Sequence, residues 1–424
     1  TYTLHVQQSC PATPGQSKKA PFHIPFAVAL LGEAGQLALQ LQNAALNTET
    51  ADNTEMVLNV TKAEQSFIFT GIKEEPVPSL LRGFSAPVKL EFDYSREQLL
   101  RLMSSDSDGF CRWDASQQLG LAEISQALAD IAAEHDVVPE SAYLDACRAL
   151  LSDESLDGAM VAMMLQLPSE AYLAEIFHPV DVLGLHRARE TLRLAIAQAL
   201  RGELLACYLR CASNAVYAAD AGQIAQRSLK NTALSYLMLL NDDTGRELAT
   251  RQFEHSENMT DRLAALNALV NSTAPYKAEA LQRFYQNWQH EPLVINQWFQ
   301  VQAMCRLPGT LETVQGLMAH PAFDIRNPNK VRALIGAFCG QNSVNFHRED
   351  GAGYRFLADQ VIVLNRSNPQ IASRLLVPLT KWRKYLPAAQ QLMCAELQRI
   401  LAQPDLSSDV YEVVSKSVQE YSEE

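Results

Sequence analysis

Several features are scarce or missing in this 424-residue sequence, and each absence removes a class of function. No run of about 18 apolar residues occurs, so no segment has the length of an apolar membrane-spanning helix. Basic charge is in deficit: 35 Lys and Arg stand against 48 Asp and Glu, a net charge of −13. Six basic and nine acidic residues lie up to Ser95, so both parts of the chain are acidic. Nucleic acid and anionic membrane surfaces are therefore not expected partners. The opening "TYTLHVQQSC" has no Met, no basic stretch and no apolar core, and does not read as a signal peptide. It begins inside what reads as a strand, as expected of a piece of a longer chain.

Cys-x-x-Cys is absent. The eight cysteines (Cys10, Cys111, Cys147, Cys207, Cys211, Cys305, Cys339 and Cys394) are scattered, mostly among apolar neighbours. Free, buried thiols in a reducing compartment are expected, which points to the cytoplasm. Cys207 and Cys211 share a helix face, but no second Cys/His pair lies near them, so core packing is expected for both.

Catalytic signatures are also missing. The sequence has no His-Glu-x-x-His, no Gly-x-Ser-x-Gly, no Walker A loop and no dinucleotide turn after a strand. His178 and His186 are two helical turns apart, but Pro179 interrupts the run. His255 in "HSEN" and His347 in "HRED" each sit beside an acid, and both are expected at solvated loop ends. "DGAGY" at Asp350 follows a loop and reads as a flexible helix entry, not a phosphate cradle. "CRWDASQ" at Cys111 reads as a helix start, with Trp113 packed in the core and no role for Asp114.

What is present falls into two patterns. Residues 1–94 alternate in strand fashion through "YTLHVQQ", "FHIPFAVALLG", "GEAGQLALQL", "EMVLNVTK", "QSFIFTGI" and "APVKLEF". Turn residues separate them, with a hairpin signal at Gly32 to Gly35, and prolines are expected at strand edges or turns. A small β-sandwich is expected here. Residues 95–424 read as helix after helix, starting at Ser95 with Glu97 in the first turn. "LKNTALSYLMLLND", "TDRLAALNALVNST" and "NQWFQVQAMCRLPG" are loosely similar and start roughly 30 to 40 residues apart, as stacked helix pairs of an armadillo or HEAT superhelix would. "NPNKVRALIGAFCGQNSVNFHREDGAGY" reads as a helix capped by Asn327, with Pro328 at its first position and Val331, Leu334, Ile335 and Phe338 on one apolar face.

Long collinear stretches carry a family resemblance. "FHIPFAVALLG", "LNVTKAEQSFIFTGI", "PVPSLLRGFSAPVKLEF", "FCRWDASQQL", "NMTDRLAALNALV", "NPNKVRALIGAFCGQNSVNFHREDGAGYRFL" and "NPQIASRLLVPL" resemble the C-terminal half of the bacterial aminopeptidase N family, zinc-dependent alanyl aminopeptidases of the gluzincin class. The resemblance runs over essentially the whole chain. It implies a non-catalytic β-sandwich plus helical domain, with the N-terminal and catalytic domains as its partners. The zinc, its His-Glu-x-x-His and Glu ligands, the motif that binds the peptide amino terminus and the catalytic Tyr are implied to lie outside these residues. No cofactor is expected in the chain itself. In the parent, a zinc-bound water would attack the first peptide bond, with Glu as general base. The helical domain would close the cavity over that site and limit access for peptide substrates. Three positions match cavity-lining residues by the same resemblance: Arg332 in "NPNKVR", and Gln370 and Arg374 in "NPQIASR". Both segments begin Asn-Pro and are each expected to start a helix, which places Arg332 and Arg374 within the opening turns, and Arg offers a fork of donors to a peptide carbonyl or carboxylate. Lys330 is assigned no role. An independent helical-repeat scaffold that binds a protein or peptide on its concave face is the alternative reading.

Overall fold

β-branched and aromatic residues at the N-terminus pair into antiparallel strands: β1 (Tyr2–Gln7), β2 (Ile24–Gly32), β3 (Gly35–Gln36), β4 (Glu55–Val60), β5 (Glu64–Phe69) and β6 (Val77–Leu80). The computed structural model describes residues 1–42, 53–213 and 215–419. β1 pairs with β5 from Tyr2↔Phe69 to Gln7↔Glu64. β2 pairs with β3, β4 and β6. Ala29 faces both Glu55 and Ser79, so β4 and β6 flank β2 on opposite sides. Leu4, Phe26, Val28, Leu30, Leu58 and Phe69 meet in the core. Ala27, Ala29 and Leu31, on the other face of β2, are buried too, which explains why its sequence runs apolar without alternating.

One strand expectation fails, and one strand was not read from the sequence. "APVKLEF" alternates but has no partner strand among the described residues, and Val88 and Leu90 pack against the core from irregular chain. The sixth strand is instead Val77–Leu80, which prolines had disguised as a turn. Pro78 is tolerated because, among the described residues, β6 pairs only with β2, which leaves its other side as an edge.

Ser95 starts the first helix through a reciprocal cap. Its Oγ accepts from the Gln98 N–H at 3.2 Å, and Gln98 Oε1 accepts from the Ser95 N–H at 2.9 Å. Helices Arg96–Ser105, Gly109–Ala132, Ser141–Ser152 and Gly158–Met164 follow. Trp113 does lie near a helix start, but it is only half-buried, with its ring 5.9 Å from that of Phe110.

The chain divides into two compact units, Thr1–Glu123 with Pro139–Leu167, and Ile124–Val138 with Pro168–Glu424. The second unit is a helical stack. Helices Ala221–Leu237, Met259–Val270 and Pro292–Ala303, the three loosely similar segments, pack on one another in series. Asp243–His255 and Lys277–Trp288 alternate with them in a second layer. Asp220, Asp242 and Asn258 cap helix starts by accepting backbone N–H groups. Two further helices, Val182–Ala199 and Arg201–Arg210, follow one another directly, broken where Leu200 leaves helical dihedrals. No helix among the described residues is long and apolar enough to cross a membrane.

Candidate functional site

The Asn-Pro pairs behave as their chemistry dictates. Asn327 Oδ1 accepts from the Asn329 N–H at 3.0 Å, and Pro328 occupies the first position of helix Pro328–Val331. Asn368 Oδ1 accepts from the Ile371 N–H at 3.3 Å, and Pro369 opens the seven-residue helix Pro369–Leu375. Val331, Leu334, Ile335 and Phe338 are all fully buried, as their spacing requires.

One feature of this segment was not visible in the sequence. From Arg332 to Gly336 the helix widens into a π turn before it resumes as Ala337–Gln341. Arg332 stands at the start of that turn, exposed, with Nη1 donating to Asn329 Oδ1 at 3.0 Å. Gln370 and Arg374 are also exposed. Arg374 sits in the last turn of its short helix, not in the opening turn expected for it. Lys330, given no role, is buried with its ammonium 5.3 Å over the Phe299 ring, and burial lowers its pKa.

Arg374 lines a cleft of about 330 Å³ together with His347, Lys381, Lys384, Tyr385 and Glu175. Gly336 and Gly340 of the Asn327 segment line the same cleft, whereas Arg332 and Gln370 do not. The two segments still adjoin: a Cβ on Gly336 would lie 3.7 Å from Leu375 Cδ2 and 3.9 Å from Arg332 Cβ. Lys384 donates to Glu175 at 2.9 Å, and Lys381 lies 3.9 Å from the same carboxylate. That hydrogen bond and charge hold Glu175 below its usual pKa. Arg374 forms no ion pair among the described residues, so its guanidinium is available at the cleft.

His347 overturns the expectation of a solvated loop end. It lines the cleft, half-buried, its Nδ1 2.9 Å from the Tyr354 phenol oxygen and its ring centre 4.4 Å from that of Tyr385. Burial, helped by the Lys384 charge, lowers its pKa to about 3, so at neutral pH it is an uncharged element of the packing. Its neighbours Glu349 and Asp350 are exposed, as a loop between helices requires. The glycines of "DGAGY" have separate reasons. Gly351 precedes helix Ala352–Ser367 at φ +67°, and Gly353 lets that helix approach the Phe346 carbonyl. Tyr385, Lys381 and Lys384 were missed by sequence reading, although the basic "KWRK" run was a usable signal.

The other candidates separate. His255 is exposed, as expected for a solvated end. His186 Nδ1 lies 2.8 Å from Glu170, while the His178 ring lies 3.2 Å from the Glu175 carbonyl. None of the eight cysteines forms a disulfide among the described residues; Cys207 is core, but Cys211 is half-exposed, contrary to the packing expected of it. Among the described residues no group of three or more His, Cys, Asp or Glu could hold a metal ion. The residues described therefore do not fit a zinc centre, and the cleft offers donors for carbonyls or carboxylates.

Comparison with known proteins places this arrangement. A family described as "Domain of unknown function (DUF3458) Ig-like fold" matches residues 1–93, and "Domain of unknown function (DUF3458_C) ARM repeats" matches residues 96–419. The chain is 40% identical over 418 residues to aminopeptidase N of Escherichia coli, covering 98% of this chain and 47% of that protein. It is 37% identical over 419 residues to aminopeptidase N of Haemophilus influenzae, covering 99% of this chain and 47% of the relative. The crystal structure of Legionella pneumophila aminopeptidase A in complex with aspartic acid superposes with a TM-score of 0.82 at 30% identity, covering 99% of this chain and 47% of that one. The chain thus spans about half the length of the relatives it matches.

Proposed function

We propose, because this chain belongs to the DUF3458 family and is the C-terminal part of an aminopeptidase N protein, that it forms the non-catalytic wall of a zinc-dependent aminopeptidase. In this reading residues 1–94 are the sandwich domain, and residues 95–424 are the helical domain that caps the catalytic cavity and limits which peptides enter. Its partners are the N-terminal and catalytic domains of the same protein. The zinc belongs to that remaining part, and no chemical step is assigned to residues described here. The working location is the cytoplasm.

The observation that carries the proposal is the extent of the match: nearly all of this chain aligns with about half of an aminopeptidase N. The chemistry of the cleft is consistent with it. A short peptide held at its amino end presents carbonyls and a carboxylate at its far end. Arg374 has donors to spare for such groups, and Arg332 and Gln370 stand exposed near it in sequence or on the adjoining segment. Arg332, Gln370 and Arg374 are assigned to peptide contact on this basis.

The test is an assay of the purified chain on an alanyl chromogenic substrate with added zinc. No turnover above buffer is expected. Zinc-dependent hydrolysis by the chain alone would overturn the proposal.

A further inference from the structure

A second concavity, of about 530 Å³, opens within the helical stack and has no part in the role proposed above. It lies between helices Arg201–Arg210, Ala221–Leu237 and Asp243–His255 and the start of Met259–Val270. Its volume is in the range of small-ligand sites, about 300–1,000 Å³. We propose that it binds a small organic carboxylate, with the carboxylate held by Arg227 and Arg251.

The charges decide the ligand class. Asp261 is buried and already satisfied: its carboxylate accepts from Lys230 Nζ at 2.6 Å, Asn231 Nδ2 at 3.0 Å and Asn258 Nδ2 at 3.0 Å. That pair is neutral, which leaves no free buried carboxylate to attract a cation. Gln252 is also committed, donating to Asn231 Oδ1 and the Asp261 carbonyl and accepting from the Tyr208 hydroxyl. The uncommitted positive charges facing the concavity are the two arginines. Arg227 is about nine-tenths buried, yet forms no ion pair among the described residues. Among the described residues only Gln223 Oε1 and the Ala218 carbonyl accept from its guanidinium, each at 3.1 Å, and the Tyr217 ring lies 5.0 Å away. A buried, pre-oriented guanidinium without a carboxylate is unusual in a chain of net charge −13. Arg251 stands exposed on the facing helix, likewise without an ion pair.

The rest of the lining selects among anions. Tyr208, Leu209, Tyr217 and Leu248 give the concavity apolar walls, which suit an acid with a hydrocarbon body. Glu257, an exposed carboxylate on the same lining, limits the excess of positive charge and disfavours a dianion such as phosphate.

The test uses the full-length protein that carries this chain, with N-acetylleucine, N-acetylleucine amide and inorganic phosphate as probes. Titration calorimetry measures affinity. Alkylation of Cys211, which lines the concavity and is half-exposed, reports the place of binding. N-acetylleucine is expected to bind saturably and to slow Cys211 alkylation. Arg251→Ala, at an exposed position, should weaken it about tenfold or more, and Arg227→Lys, which keeps the charge but loses the fork, should also weaken it. Arg374→Ala should leave this binding unchanged, which separates the site from the peptide cleft. Equal binding of the amide or of phosphate, no binding of N-acetylleucine, unchanged affinity in Arg251→Ala, or loss on Arg374→Ala would each overturn the proposal.

Discussion

Arg82 and Asp106 meet at 2.7 Å with both side chains almost wholly buried. The guanidinium also donates to Ser79 Oγ at 2.8 Å, Ser107 Oγ at 2.8 Å and Glu55 at 3.0 Å. It anchors a tight corner in which Leu81 and Phe84 take left-handed dihedrals, φ 57° and 52°. Removing one partner strands a buried charge. Asp106→Ala is expected to lower stability by about 3–5 kcal/mol. Glu55 is half-exposed, and Glu55→Gln should lower it by less than about 1 kcal/mol. Equilibrium urea unfolding of the two variants checks the difference, and equal effects would contradict a buried anchor.

Gly353 is a packing glycine. A Cβ there would lie 2.1 Å from the Phe346 carbonyl oxygen, a backbone atom that cannot swing aside. Gly353→Ala should destabilise by at least about 1–3 kcal/mol. Gly316, in helix Thr310–Met318, has open space where a Cβ would go, so Gly316→Ala should stabilise by up to about 1 kcal/mol. Thermal melts of the pair test both signs.

Much of the fold was legible because local rules sufficed. Ser95, Asn327 and Asn368 announce helix starts through side-chain oxygens that satisfy nearby N–H groups, and Pro328 and Pro369 fit where no N–H is needed. The misreadings occurred where a distant contact decided. Val88 and Leu90 alternate like a strand but pair with no strand among the described residues, and Pro78 sits in a strand because it lies on a sheet edge. His347 reads as polar beside Arg348 and Glu349, but Phe346, Tyr354 and Tyr385 enclose it. The π turn at Arg332 leaves no trace in residue spacing. Of the candidate site, the sequence offered Arg332, Gln370 and Arg374 only through resemblance, while the cleft joining Arg374 to Lys381 and His347 required the fold.

The depressed pKa of His347 predicts a pH dependence. Unfolded histidine binds a proton near its ordinary pKa of about 6.5, whereas the folded ring resists until about pH 3. The unfolded state therefore holds more protons between these values, and stability falls as pH drops through that window. Above it, His347 contributes no pH dependence. His347→Gln should flatten the fall in melting temperature between about pH 6.5 and pH 3 relative to the parent protein, whose carboxylates titrate in both. Parallel curves would show that His347 is not held neutral.

Asn342 ties two segments together. Its Nδ2 donates to the Ala303 carbonyl at 2.9 Å and the Cys305 carbonyl at 2.8 Å, at the end of helix Pro292–Ala303. It is buried, so no water can replace it easily. Asn342→Leu should cost about 1–3 kcal/mol, from the Ala303 carbonyl left without this donor and the lost cap on the Asn345 N–H, because Thr310 Oγ1 and Asn345 Nδ2 also donate to the Cys305 carbonyl. Chemical denaturation measures this, and a change below about 0.5 kcal/mol would show that the Ala303 carbonyl finds another donor.

The cavity-wall role is tested most directly by the kinetics of Arg374→Ala in the full-length protein, compared on an alanyl tripeptide and on a single-residue alanyl anilide. Loss of a charge-assisted contact to the far end of the peptide predicts a fall in kcat/KM of about tenfold or more for the tripeptide, with the anilide changed by less than about twofold. Unchanged kinetics on the tripeptide, or equal losses on both substrates, would contradict the account.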